Sequence, residues 1–264
     1  MIAEKRMAML IDVTKCMGCR GCQVACKQWN QLPAAKTKNT GTYQNPPRLS
    51  ANTWTLVNFI EPDVNRDEFE RNPQWFFRKQ QCLHCGDPAC VHACPTGALK
   101  QRHDGIVYID QAICAGCKYC VEVCPFGTPH PNPETGTAMK CRMCLDRVDD
   151  GMQPACVTAC PTGALEFGTR TAMLDLAEKR MAALRKAGGS PYLYGEKELG
   201  GLGAMYLLPE NDPELFNLPR DPKLPTNKIL LRWLLGVVPG LAILYGMWRY
   251  FQKEDAATPS SGGN

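Results

Sequence analysis

The chain has 264 residues, a formal net charge of +4, 44% hydrophobic residues and sixteen cysteines. That length suits one or two domains with extensions, and a small charge excess without a concentrated basic stripe argues against nucleic-acid binding. Disulfide frameworks belong mostly to small secreted domains with varied spacings. Here every cysteine falls into a group with internal gaps of mostly two or three residues, as thiolates converging on metal require.

The opening residues mix charges and hold no apolar core of useful length, so they do not read as a secretory signal. Cluster thiols need a reducing compartment for assembly, and folded export on a partner's signal stays open. Residues 1–15 read as a lead and a strand, with Met9, Ile11 and Val13 facing one way and Asp12 helping the turn into the first cysteine group. That group is Cys16, Cys19, Cys22 and Cys26, continuing as a helical turn over 24–29. Residues 27–81 form a cysteine-free insertion, irregular over 33–50, β-like over 54–60 and 75–78, and charged over 61–72. It reads either as a lid over a cluster or as a contact surface for a partner.

The second group is Cys82, Cys85, Cys90 and Cys94, followed by Pro95; the third is Cys114, Cys117, Cys120 and Cys124, followed by Pro125. The third has the C-x2-C-x2-C-x3-C-P spacing by which two-cluster ferredoxins hold [4Fe-4S] centres. The fourth is Cys141, Cys144, Cys156 and Cys160. Zinc sites of four thiolates also use C-x2-C pairs. The C-x3-C that closes all four groups, and the Pro after three of them, favour clusters. Residues 88–99 and 154–165 match at eleven of twelve positions, an internal duplication. Its small residues let the backbone wrap a cubane and donate N–H groups to sulfur, and Gly97 and Gly163 allow positive φ. The run 106–109 supplies a short hairpin strand.

In two-cluster ferredoxins the fourth cysteine of each group binds the other group's cluster. Pairing groups two and three, and one and four, then predicts four sets: Cys82, Cys85, Cys90 and Cys124; Cys114, Cys117, Cys120 and Cys94; Cys16, Cys19, Cys22 and Cys160; and Cys141, Cys144, Cys156 and Cys26. Groups one and two pairing as neighbours is the alternative. Four thiolates per set predict four [4Fe-4S] clusters, closed to substrate and able only to pass single electrons. Each adds about two negative charges, so about four would turn the chain net negative. Lys100, Lys118, Lys140, Arg142 and Arg147 lie near the groups, for charge balance or for tuning of potentials. His84 and His92 adjoin ligands, His103 and His130 are scattered, and no catalytic constellation is predicted. Without a glycine-rich fingerprint after a strand, neither nicotinamide nor flavin is expected.

Spacing of three and four predicts a helix over 170–186, capped by Thr169 and ended by Gly188-Gly189. Residues 190–227 read as an extended arm on a surface, with a strand at 204–208. The stretch 229–251, whose uncharged core 233–248 is flanked by Arg232 and Arg249, with Trp233, Tyr245, Trp248 and Tyr250 as interfacial anchors, predicts a transmembrane helix; a buried soluble helix is the alternative. The expected fold is α+β: two pseudo-symmetric bacterial-type 2[4Fe-4S] ferredoxin domains with an insertion, plus one C-terminal transmembrane helix. Residues 1–26 with 134–168 form an outer unit, 27–81 the insertion, 82–133 an inner unit, 169–227 a helix and docking arm, 228–251 the membrane helix and 252–264 a disordered tail.

The four-group arrangement resembles the iron–sulfur subunits of the molybdenum/tungsten bis-pterin oxidoreductases. Leu10-Ile11-Asp12-Val13, Gln23-Val24-Ala25-Cys26, Trp29-Asn30, Phe167-Gly168-Thr169 and the arm with Met205-Tyr206 and Pro213-Glu214-Leu215 narrow this. They resemble the beta subunit of membrane-bound formate dehydrogenase. Some relatives carry Trp where this chain has Cys144, giving a three-iron cluster, so four cubanes remain implied. The resemblance implies a relay from a formate-oxidising Mo/W bis-pterin catalytic alpha subunit to a haem b-containing membrane gamma subunit and quinone. It implies contact with membrane lipid, and an inner-membrane, single-pass placement with the soluble part periplasmic. The same relay could serve a catalytic subunit for polysulfide, tetrathionate, an aldehyde or hydrogen, or the chain could be a free polyferredoxin.

Overall fold

The computed structural model describes residues 6–39, 41–62, 75–224, 237 and 239–249. The chain divides into two units, 1–224 and 225–264. In the first, strand β1 (Met7–Asp12) is apolar on both faces and is buried on both. Met9, Ile11 and Val13 enter the main core, while Ala8 and Leu10 enter a smaller one on the opposite face. This is the two-residue alternation of a strand between two packed layers.

β1 is one of two inner strands in a four-stranded sheet. It pairs antiparallel with β8 (Leu165–Thr169) and parallel with β10 (Ala204–Leu208), which pairs antiparallel with β9 (Tyr192–Tyr194). Parallel neighbours need a crossover connection. Here the crossover runs from Asp12 to Ala204 and contains all sixteen cysteines. The sheet therefore closes the cysteine-bearing segment like a clasp. The strand expected at 204–208 within the 190–227 arm forms as β10 and is buried throughout, because Ala204, Met205, Tyr206, Leu207 and Leu208 present apolar groups to both layers.

Helix α6 (Arg170–Lys186) begins where expected. Thr169 Oγ1 accepts from the Ala172 N–H at 3.4 Å, satisfying one orphan donor of the first turn. Met173, Ala177 and Met181 recur every four residues and pack on Ala8, Leu10, Met205 and Leu207. Asp12 also acts as expected, its Oδ1 accepting from the Thr14 N–H and hydroxyl; its Oδ2 meets Arg180 Nε at 3.1 Å.

The insertion contributes an antiparallel ribbon, β2 (Leu56–Ile60) and β3 (Phe76–Gln80). Most of its charged 61–72 stretch lies outside the described residues. Smaller hairpins pair β4 (Leu99–Gln101) with β5 (Val107–Ile109), and β6 (His130–Pro131) with β7 (Ala138–Met139).

In the second unit residues 239–249 are helical. Among the described residues no helix is long and apolar enough to cross a membrane. Eleven residues at 1.5 Å each rise about 16 Å, half of a hydrocarbon core of about 30 Å. The spanning helix at 228–251 and the single-pass inner-membrane placement built on it are therefore corrected. The remainder of that span and the 252–264 tail lie outside the described residues.

Candidate metal centres

Each cysteine group opens with a C-x2-C loop whose third residue is left-handed: Gly18 (φ 69), His84 (φ 47), Gly116 (φ 66) and Met143 (φ 57). Left-handed residues within such loops turn successive N–H groups to one side and make a concavity for anionic sulfur. The Gly18 N–H bonds Cys16, and the Met143 N–H reaches Cys141 Sγ at 3.4 Å. A short helix then carries the third cysteine: Cys22 on α1 (Gly21–Trp29), Cys90 on α2 (Ala89–His92), Cys120 on α3 (Tyr119–Val123) and Cys156 on α5 (Ala155–Thr158). In the fourth group α4 (Leu145–Asp149) intervenes, which explains the long gap between Cys144 and Cys156.

The groups exchange their fourth cysteines. Cys16, Cys19, Cys22 and Cys160 line one cavity, site 1. Cys26, Cys141, Cys144 and Cys156 line a second, site 2. Cys94, Cys114, Cys117 and Cys120 line a third, site 4. Cys85 feels the charges of Cys82, Cys124 and Cys90, which gather as site 3. The three cavities enclose about 290 to 380 Å³ of empty space including their mouths.

The sites adjoin in series. Cys22 of site 1 couples to Cys156 of site 2, Cys141 of site 2 to Cys82 of site 3, and Cys90 of site 3 to Cys120 of site 4. The middle of the series is the more enclosed: all four cysteines of site 2 are buried, whereas Cys19 and Cys117, at the two ends, are exposed.

The donor chemistry fits iron–sulfur clusters. Burial pushes the Cys22 and Cys90 thiols up to about 12, and Cys120 and Cys144 to about 11. Thiolates at such positions need a cation to hold them deprotonated, which a metal centre provides. Cys94 goes the other way: burial would raise it, but the N–H groups of Leu99, Thr96 and Ala98 and the Thr96 hydroxyl outweigh that. These donors come from the Cys-Pro-Thr-Gly-Ala-Leu turn, where Gly97 has φ 65 and its duplicate Gly163 has φ 63. Such a backbone cradle serves sulfur anions.

Of the basic residues singled out in the sequence, Lys140 is buried; it donates to the Val107 and Cys141 carbonyls and faces Cys90. Lys118 lines site 4 and Arg142 lines site 2, whereas Lys100 pairs with Asp110 and Arg147 lies over the Trp29 ring. His84 is buried, its Nδ1 accepting from the Val107 N–H at 3.0 Å. Burial, with Lys140 and Lys79 nearby, holds it neutral, well below its ordinary value. His92 pairs with Asp87 at 2.6 Å in solvent, and His130 is half-buried. The four histidines are not brought together with the exposed cysteines.

Sequence reasoning missed Lys79. Its side chain is 1% exposed, its Nζ has no hydrogen-bond partner among the described residues, and it lines site 1. Burial works to lower its pKa, but Cys156, Cys22, Cys141 and Cys26 outweigh it and hold the pKa above the ordinary lysine value. The strand reading stopped at Arg78, one residue short, and nothing in the run Arg78-Lys79-Gln80-Gln81 announces burial.

Cysteine-lined cavities in series, two of them wrapped by the duplicated turn, define a multi-cluster ferredoxin. Models described as "4Fe-4S dicluster domain" match residues 15–98 and 73–170, and the chain carries four [4Fe-4S] clusters. It is 44% identical to the nitrate-inducible formate dehydrogenase iron-sulfur subunit of Escherichia coli over 88% of this chain and 79% of that one. It is 44% identical to the formate dehydrogenase-O iron-sulfur subunit of the same organism, over 84% and 73%. The Haemophilus influenzae formate dehydrogenase iron-sulfur subunit is 42% identical over 90% and 76%. The chain belongs to the formate dehydrogenase iron–sulfur subunits.

Proposed function

We propose that this chain relays single electrons from a formate-oxidising catalytic subunit toward a membrane cytochrome subunit, by way of sites 1 to 4 in order. The observation that carries this is the unbroken adjacency Cys22–Cys156, Cys141–Cys82 and Cys90–Cys120. Every one of the sixteen cysteines is assigned as a ligand, in the four sets described above. The clusters supply one-electron storage at each site. The chain's own residues hold them, shield the inner two from water and expose the outer two. The catalytic partner is assigned a molybdenum or tungsten bis-pterin centre, and the cytochrome partner a haem b that passes electrons to quinone.

The insertion is assigned as a lid. Trp54 and Thr55 line site 2, and Val57 and Lys79 line site 1. Partner contacts are assigned to the two ends, where Met17 and Cys19, and Ile113, Cys117 and Tyr119, are exposed. Groups two and three make one ferredoxin unit and groups one and four the other, consistent with the exchanged fourth cysteines.

Anaerobic purification of the chain with its neighbours tests this. About sixteen iron atoms and as many acid-labile sulfides per chain, in a complex that reduces a quinone analogue on formate, is the expected result. Iron near zero, or a complex with no formate-dependent reduction of this chain, overturns it.

A further inference from the structure

Lys79 is unusual on three independent counts. It sits on β3, one residue before the strand's end, fully buried, opposite Val57 of β2. The Tyr206 hydroxyl pins its backbone by donating to the Lys79 carbonyl at 2.8 Å. Its ammonium nevertheless has no oxygen or nitrogen partner among the described residues, although buried ammonium groups are costly without one. Its neighbour Arg78 differs: one guanidinium nitrogen donates to Asn58 Oδ1 at 3.1 Å and the guanidinium lies 5.6 Å from the Tyr206 ring centre, although its Nε has no partner among the described residues.

The Lys79 side chain lies beside cysteines of two sites. It lines site 1 with Cys16, Cys19, Cys22 and Cys160, and it is electrostatically coupled to Cys26, Cys141 and Cys156 of site 2. A cation with three donors and no acceptor, placed between two sets of four thiolates, meets the charge that those sets carry when loaded.

We propose that Lys79 is a shared positioning charge for the clusters of sites 1 and 2, holding both potentials up. This rests on the cluster assignment above. Reduction adds one negative charge to a site, and a fixed cation beside it favours the reduced form. When one electron leaves either site and arrives at the other, the ammonium faces the added charge before and after. The electron stays beside compensation, no bond forms or breaks, and Lys79 keeps its three protons.

The test uses the full chain in its native complex. Lys79→Met removes the charge at similar volume; Lys79→Arg keeps it. Redox titration followed by electron paramagnetic resonance should show two of the four clusters harder to reduce in K79M. The expected shift is at least tenfold in the reduction equilibrium of each, or 59 mV for a one-electron couple, with the other two unmoved and K79R near the original. A second readout needs no neutral variant. Protein labelled with nitrogen-15 lysine, once reduced, should show a lysine nitrogen coupled to the cluster spin that is missing from labelled K79R. If K79M keeps all its iron and all four potentials, the proposal fails while the cluster assignment stands. If K79M loses iron, the labelled pair decides: no difference between them overturns the proposal. Iron near zero in the unmodified chain sinks the cluster assignment itself.

Discussion

Adding one methyl group at Gly116 is expected to loosen one cluster of the four and leave the others in place. Gly116 lies between Cys114 and Cys117 with φ +66, and a Cβ built there would fall on the carbonyl oxygen of Gly136, well inside contact distance. Two costs add. Forcing alanine into the left-handed region costs about 1–2 kcal/mol, and overpacking against backbone that cannot swing aside costs about 1–3 kcal/mol more. Gly97→Ala is the control, because Gly97 has φ +65 but nothing within 4 Å of its added Cβ. It bears the first cost alone, in the turn that follows Cys94 of the same site. The difference between the variants is the clash, an opening equilibrium shifted by about 5- to 150-fold. The assay is iron release to a chelator under anaerobic conditions, followed by bleaching of the cluster absorbance. Gly116→Ala should lose about a quarter of its iron (about four atoms) in a fast phase that Gly97→Ala lacks. Equal rates for the two variants, or loss of all iron together, would refute the reasoning.

Four further outcomes are expected. Cys124→Ser should alter the same cluster spectrum as Cys85→Ser, and Cys94→Ser the same one as Cys117→Ser; selective electron paramagnetic resonance of the four variants checks the exchange of fourth cysteines. Thr169→Ala should cost about 1 kcal/mol by removing the α6 cap, with Thr169→Ser retaining most of it, measured by denaturant titration. Asp12→Ala should cost about 1–3 kcal/mol, since a buried carboxylate holding Thr14 and Arg180 is lost; the same titration reads it. His130 is held below its ordinary value by burial and by Arg48. As pH falls through the unfolded value of about 6.5 the unfolded chain gains a proton that the folded one still refuses, so stability present above that pH is lost on the acid side. A His130→Gln chain whose acid-side loss equals the parent's would contradict this.

Local signals carried much of the fold. The 170–186 helix was legible because its apolar residues recur at three and four and Thr169 can cap only that start. The ribbon strands were legible as β-branched and aromatic runs. The grouping of the sixteen cysteines was legible from spacing alone, because each loop carries its own local pattern, whereas the sharing of fourth cysteines between groups is the assignment proposed above. Three things were not legible. The parallel pairing of β1 with β10 joins segments far apart in the chain, and no local pattern encodes that register. A buried lysine looks like any surface lysine until its surroundings are known. The apolar 229–251 stretch, with its terminal arginines and aromatic anchors, reads as a span, whereas among the described residues no continuous helix is long and apolar enough to cross.

The left-handed third position of each cysteine loop carries a last consequence. Copies at the exposed ends of the series use glycine: Gly18 lies so near Phe77 that a Cβ would come within 2.8 Å, and Gly116 abuts Gly136. The inner copies use His84 and Met143, each 1% exposed, which accept about 1–2 kcal/mol of backbone strain and root their loops in the interior. The four loops thus fall into two mechanical types, tethered in the middle and seated flush at the rims. Swapping residues between the types would fail in both directions, for want of space at the rims and for want of an anchor within.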